Sequence, residues 1–155
     1  EKVFWGRGNG WVTGALTFII DHMPAQHPSR TFYISLFRQM MKKISKLQDK
    51  QGFWHSSLLD TISYPMPEAS ASGFFTYSLF WGLNHGYLEK EEYLPIAEKA
   101  WNALVSVVHE DGKIGYVQPI GADPKKVDMN DTEVYGTGAF LLAATEYVKY
   151  LKHTK

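Results

Sequence analysis

Apolar residues in this chain fall into two kinds of helical segment, and the two kinds alternate. Residues 29–47 carry Tyr33, Leu36, Phe37, Met40, Ile44 and Leu47 at helical spacing, with lysines on the opposite side. Ser29 is placed to cap this segment, and "DKQG" closes it at Gly52. A second stripe runs through Leu94, Ala97, Trp101, Leu104, Val105 and Val108, with Pro95 read into its first turn and "EDG" as its stop. Residues 11–23, 71–84 and 134–151 differ: they open with small residues and are apolar on most sides, as in "GFFTYSLFWG" and "GTGAFLLAA". A helix apolar all round needs neighbours on several sides. The order is therefore enclosed, amphipathic, enclosed, amphipathic, enclosed.

The junctions repeat as well. Gly14, Gly73 and Gly138 sit early in the enclosed segments, Gly52 and Gly112 follow the amphipathic ones, and equivalent glycines lie about sixty residues apart. That is the mark of stacked helical hairpins, an inner ring of enclosed helices covered by an outer ring of amphipathic ones. The fold class expected is all-α, with only "KIGYVQPI" able to form a short extended piece. The first and last helices are both of the enclosed type, so neither end looks like a polar capping repeat. Their faces require cover, from material this chain does not contain or from a second copy of the chain.

A chain of 155 residues has the length of one domain. Sixteen basic and sixteen acidic residues give a formal net charge of zero, which argues against a nucleic-acid partner held by a basic field. The cluster Lys42, Lys43 and Lys46 fits the wet side of a helix. Cysteine is absent, so no disulfide or thiolate metal site is expected. No apolar run is long enough to span a bilayer, so no membrane partner is expected. The sequence opens at Glu1, in mid-motif and without a leader, and reads as a processed product or a piece of a longer protein. Cytoplasm and periplasm both stay open as compartments.

In a two-ring arrangement the loops at one end of the inner helices converge on a cavity. Three such loops are "WGRGNG", "YPMPEASAS" and "DMNDTEVYGTG". All are rich in aromatic and short polar groups, which suit the apolar faces and hydroxyl rims of sugars. Arg7 stands out within "FWGRGNGW", with Trp5 and Trp11 on either side. Its planar fork of donors matches a carboxylate, and the glycines allow backbone and ligand to approach. The alternative is a pair with an acidic residue of a neighbouring loop and two core tryptophans. Trp54 and His55 lie at a loop mouth, where His55 could bind a ligand, act as an acid–base group or satisfy local backbone. Glu68, Ser70 and Ser72 read as capping residues. Asp128, Asp131 and Glu133 could bind a cation or move protons, or could form a solvated first turn. Histidine spacing suits no metal site, and HExxH, P-loop and GxSxG motifs are absent.

"FWGRGNGWV", "LQDKQGFWH", "EASASGFFTYSLFWGLNHGYL" and "YGTGAFLLAATEY", in that order over the whole chain, resemble glycoside hydrolase family 105. These are the unsaturated rhamnogalacturonyl hydrolases; the unsaturated glucuronyl hydrolases of family 88 are more distant relatives. The resemblance implies an (α/α)6 barrel, with residues 1–155 as the C-terminal part of one barrel domain, about half of it, and no internal boundary. It implies oligosaccharide substrates ending in a 4,5-unsaturated uronic acid, from pectin or rhamnogalacturonan breakdown, and no cofactor or metal. In the implied mechanism an acid protonates the vinyl ether double bond and water adds at the adjacent carbon. The resulting hemiketal opens, unlike the displacement of ordinary glycosidases. By the same resemblance Arg7 meets the uronate carboxylate, Trp5 and Trp11 form walls, and Trp54 and His55 border the cavity as substrate-binding residues. The family's catalytic aspartates precede the tryptophan–arginine–tryptophan motif, so no catalytic residue is expected in this chain. A non-catalytic carbohydrate-binding half-barrel and a protein-interaction scaffold are the competing readings.

Overall fold

The computed structural model describes residues 3–153; Glu1, on which the reading of a mid-motif start rests, lies outside the described residues, as do Lys2, Thr154 and Lys155. The helices, in chain order, are α1 (Gly6–His22), α2 (Arg30–Ser45), α3 (Ala69–Asn84), α4 (Lys90–Ser106) and α5 (Val134–His153). Among the described residues there is no strand. Extended pairing is limited to isolated bridges, Trp5 with Ser57, His55 with Pro67 and Val108 with Ile114.

Helix α3 packs against all four others, with α1 on one side and α5 on the other. Its buried positions run almost without a break from Ala69 to Gly82, because neighbours cover it on every side. Small residues set the spacing. A Cβ on Gly73 would lie 2.9 Å from the Cβ of Ala139 in α5, and one on Gly10 would lie 3.0 Å from the Cβ of Phe74. Phe75, Phe80 and Trp81 fill the interior, each contributing about 1.5–3 kcal/mol by leaving water.

Helices α2 and α4 are the covering layer. Helix α2 buries Phe37, Met41 and Ile44, and α4 buries Tyr93, Ala97, Ala100, Ala103 and Leu104. Gly52 and Gly112, placed after these helices by the repeat, take left-handed φ angles of +106° and +85°. The two-layer helical hairpin pattern is therefore present as read.

Three local expectations are corrected. Gly6 to Gly10 are not a loop but the first turns of α1, which starts five residues before Trp11. The glycines sit there for close approach: a Cβ on Gly6 would meet the His55 carbonyl oxygen at 2.4 Å, and one on Gly8 would meet the Trp5 ring at 2.7 Å. Pro95 lies in the second turn of α4, on the exposed side, where it has no N–H to donate to the Glu91 carbonyl. Finally, only α3 is enclosed. Helices α1 and α5 each leave an apolar face open, with Phe18 at 63% and Leu141 at 57% exposure.

Candidate functional site

The N-terminal ends of α1, α3 and α5 meet around one residue, Gln118, which is wholly buried. Its carbonyl oxygen accepts hydrogen bonds from Arg7 Nη1 and the Tyr135 hydroxyl, each at 2.5 Å. Its backbone N–H donates to Glu68 Oε1 at 3.0 Å. Its side chain accepts from Trp5 Nε1 at 3.3 Å and donates to the Asp123 carbonyl at 2.8 Å. Arg7 and Tyr135 are also joined directly, and Arg7 Nη2 donates to the Pro119 carbonyl at 2.9 Å.

Arg7 is 3% exposed. The centre of its guanidinium lies 4.9 Å from the Trp5 ring and 4.6 Å from the Tyr135 ring, so the cation sits between two aromatic faces. It forms no ion pair with any described residue, and the acceptors that hold it are two carbonyls and a phenol. The acidic partner weighed from the sequence is not what the structure provides. Of the five N–H groups of an arginine, three have acceptors and the others find none among the described residues. The result is a fixed, nearly buried positive charge whose hydrogen-bond acceptors are all neutral.

The other expected site residues are divided. Trp5 joins Arg7 in the network. Trp11, one helical turn on from Arg7, is half exposed and packs on Phe74 with ring centroids 4.4 Å apart. Trp54 is 0% exposed, packs edge-on to Phe75, and donates its indole N–H to the Ile44 carbonyl. Its indole is a core element and offers no face to a ligand, which corrects its expected place on the cavity wall. His55 is buried with both ring nitrogens engaged, Nδ1 with the Tyr64 carbonyl at 3.0 Å and Nε2 with Asp49 at 3.2 Å.

Glu68 caps α3 and is wholly buried. Its carboxylate accepts from the N–H groups of Ser70 and Ala71, from the Ser70 hydroxyl and from Gln118. Burial pushes its pKa up, against the pull of these four donors. Burial also raises the Tyr135 phenol, opposed by the adjacent Arg7. With all its partners on protein, Glu68 positions the Gln118 segment and through it the Arg7 acceptors. Asp128 and Asp131 accept from nearby backbone N–H groups in the turn before α5. Among the described residues no cluster of three His, Asp or Glu side chains could hold a metal ion. The sequence reading did not single out Gln118 or Tyr135, which lie more than a hundred residues from Arg7, although Tyr135 opens the quoted "YGTGAFLLAATEY".

The sequence pattern of Glycosyl Hydrolase Family 88 matches residues 1–151. An unsaturated 3S-rhamnoglycuronyl hydrolase of Formosa agariphila is 47% identical over 149 residues, covering 96% of this chain and 40% of that protein. A solved family 88 glycosyl hydrolase from Bacteroides vulgatus superposes with a TM-score of 0.91 at 43% identity, over 97% of this chain and 44% of the other. A solved possible member of family 105 from Salmonella enterica gives a TM-score of 0.83 at 25% identity, over 95% of this chain and 40% of that one. The helical hairpins thus match part of a larger helical toroid, and the chain spans about two fifths of the length of these relatives.

Proposed function

The chain belongs to glycosyl hydrolase family 88, and from that premise we propose that residues 1–155 form the C-terminal part of one hydrolase domain. That domain acts on oligosaccharides ending in a 4,5-unsaturated uronic acid. The observation that carries this reading is Arg7, a nearly buried cation without a carboxylate partner among the described residues, held between Trp5 and Tyr135. A buried charge lacking a counter-ion is costly, and a ligand carboxylate that reaches it recovers much of that cost. Trp5 and Trp11 supply aromatic surface for the sugar, and His55 supports the loop behind them. The unsaturated hydrolase named among the relatives supports the substrate class.

In this reading the chain supplies binding surface and the proton donor lies elsewhere in the domain. The donor protonates the vinyl ether carbon, water adds at its neighbour, and the hemiketal opens to release the next sugar. A family-length protein carrying this chain should consume an unsaturated uronyl disaccharide, read as falling ultraviolet absorbance of the double bond. Saturable calorimetric binding with constant absorbance would replace the hydrolase by a carbohydrate-binding module. Indifference to the sugar would leave a scaffold for protein partners.

A further inference from the structure

The inner helices α1, α3 and α5 meet one another by a repeated rule. The fifth residue of each is a glycine: Gly10, Gly73 and Gly138. In α1 and α3 that glycine admits the sixth residue of the next inner helix. A Cβ on Gly10 would lie 3.0 Å from the Cβ of Phe74, and one on Gly73 would lie 2.9 Å from the Cβ of Ala139. A second rung pairs the sixteenth residue of one helix with the thirteenth of the next. Asp21 Oδ2 accepts from Trp81 Nε1 at 2.9 Å, and Asn84 Nδ2 donates to Glu146 Oε2 at 2.8 Å.

Each end of this row presents half of the rule. At Gly138 an added Cβ would meet nothing within 4 Å. One and two turns further along the same side of α5, Leu142 and Thr145 are exposed. At the other end, the sixth and thirteenth residues of α1 are Trp11 and Phe18, 51% and 63% exposed. Helix α3 stands between α1 and α5, so the two halves do not meet within one molecule. Contiguous exposed apolar surface of this kind marks a contact.

We propose that the α5 face at Gly138 docks α1 of a second copy of this chain, in the register that already joins α1 to α3 and α3 to α5. The pair makes this joint twice, α1 on α5 and α5 on α1, and so closes into a ring. Two observations select this occupant. The register is built twice within the chain, and a second copy's α1 carries the incoming side of it, with Trp11 set against Gly138. The extent of the chain also fits. It covers 44% of the Bacteroides vulgatus relative and reproduces that part of the toroid at a TM-score of 0.91, so two copies supply twice 44%, or 88%, of its length. A head-to-tail joint closes when its rotation completes the circle and otherwise runs on as a filament; a toroid's curvature and this length give closure. The inference stands on helix packing and draws nothing from the carbohydrate reading, which the hydrolysis assay tests separately.

The chain has no cysteine, so introduced ones report the joint. Trp11→Cys and Gly138→Cys chains are mixed in equal amounts and oxidised. The joint brings these two Cβ atoms about as close as the Gly73–Ala139 pair, within reach of a disulfide. The 11–138 disulfide should therefore dominate over both same-site products. Light scattering of the parent should rise with concentration and level off at two chains. Gly138→Leu, whose side chain has room in the single chain, should raise the concentration for half-pairing at least roughly tenfold with an unchanged circular dichroism spectrum. Phe32→Glu, which removes an equally exposed aromatic from the outer helix α2, should pair like the parent. Same-site disulfides forming as readily as the mixed one would overturn the proposal, as would growth beyond two chains. So would a Gly138→Leu chain that pairs like the parent, or equal loss of pairing in Phe32→Glu. A monomer at every concentration would also overturn it and leave the α5 face to helices elsewhere in a family-length protein.

Discussion

At the scale of single residues, the site depends on Gln118 being held from two sides, by Glu68 on its N–H and by Arg7 and Tyr135 on its carbonyl. Glu68 therefore carries a pH signature. Burial raises its folded-state pKa, so between the ordinary glutamate value and the raised one the folded chain keeps a proton that the unfolded chain has released. Stability must fall as pH climbs through that window. Urea unfolding from about pH 4 to about pH 8 should show this slope in the parent and lose it in Glu68→Gln. Identical slopes would mean that Glu68 titrates as it does in the unfolded chain. Arg7 was legible as unusual from its flanking tryptophans and glycines alone. Its partners were not, because hydrogen bonds to backbone carbonyls far along the chain leave no residue-type signal. Trp54 shows the opposite failure: next to a histidine in a loop it resembles a ligand wall, yet the packing of Phe75 and the Ile44 carbonyl draw it inside.

At the scale of elements, small residues control how closely helices meet. Gly6 in α1 touches the His55 carbonyl, whereas Gly138 in α5 faces open space. Gly6→Ala should lower the unfolding free energy by about 1–3 kcal/mol, since backbone must shift to admit the methyl group. Gly138→Ala should raise it by about 0.5–1 kcal/mol through helix propensity. Denaturant midpoints decide both, and equal effects at the two positions would contradict this packing. The alternation of enclosed and amphipathic segments made the order of helices readable. The start of α1 was not readable, because a run of glycines has poor intrinsic helix propensity and only the contacts of Gly6, Gly8 and Gly10 explain why it coils.

At the scale of the whole molecule, α3 is fully covered while its flanking helices expose Trp11, Phe18, Leu141, Leu142 and Val148. Apolar surface of that kind marks a contact face. The chain by itself should self-associate as its concentration rises, and Phe18→Glu with Leu141→Glu should reduce the assembly seen in light scattering. A monomer at every concentration would contradict this. The need for cover was readable from two end helices of enclosed type; which helix faces stay open was visible only once α3 was seen to occupy the centre. The charge of Arg7 remains the point on which the functional reading turns. The most direct measurement is kcat/KM for the free-acid unsaturated uronyl substrate divided by that for its methyl ester, in a family-length protein carrying this chain. Taking the ratio cancels any general damage to folding. Arg7→Gln should lower that ratio by roughly ten- to a hundredfold, the scale of a charge-assisted contact. A ratio unchanged from the parent would mean that Arg7 does not read the carboxylate.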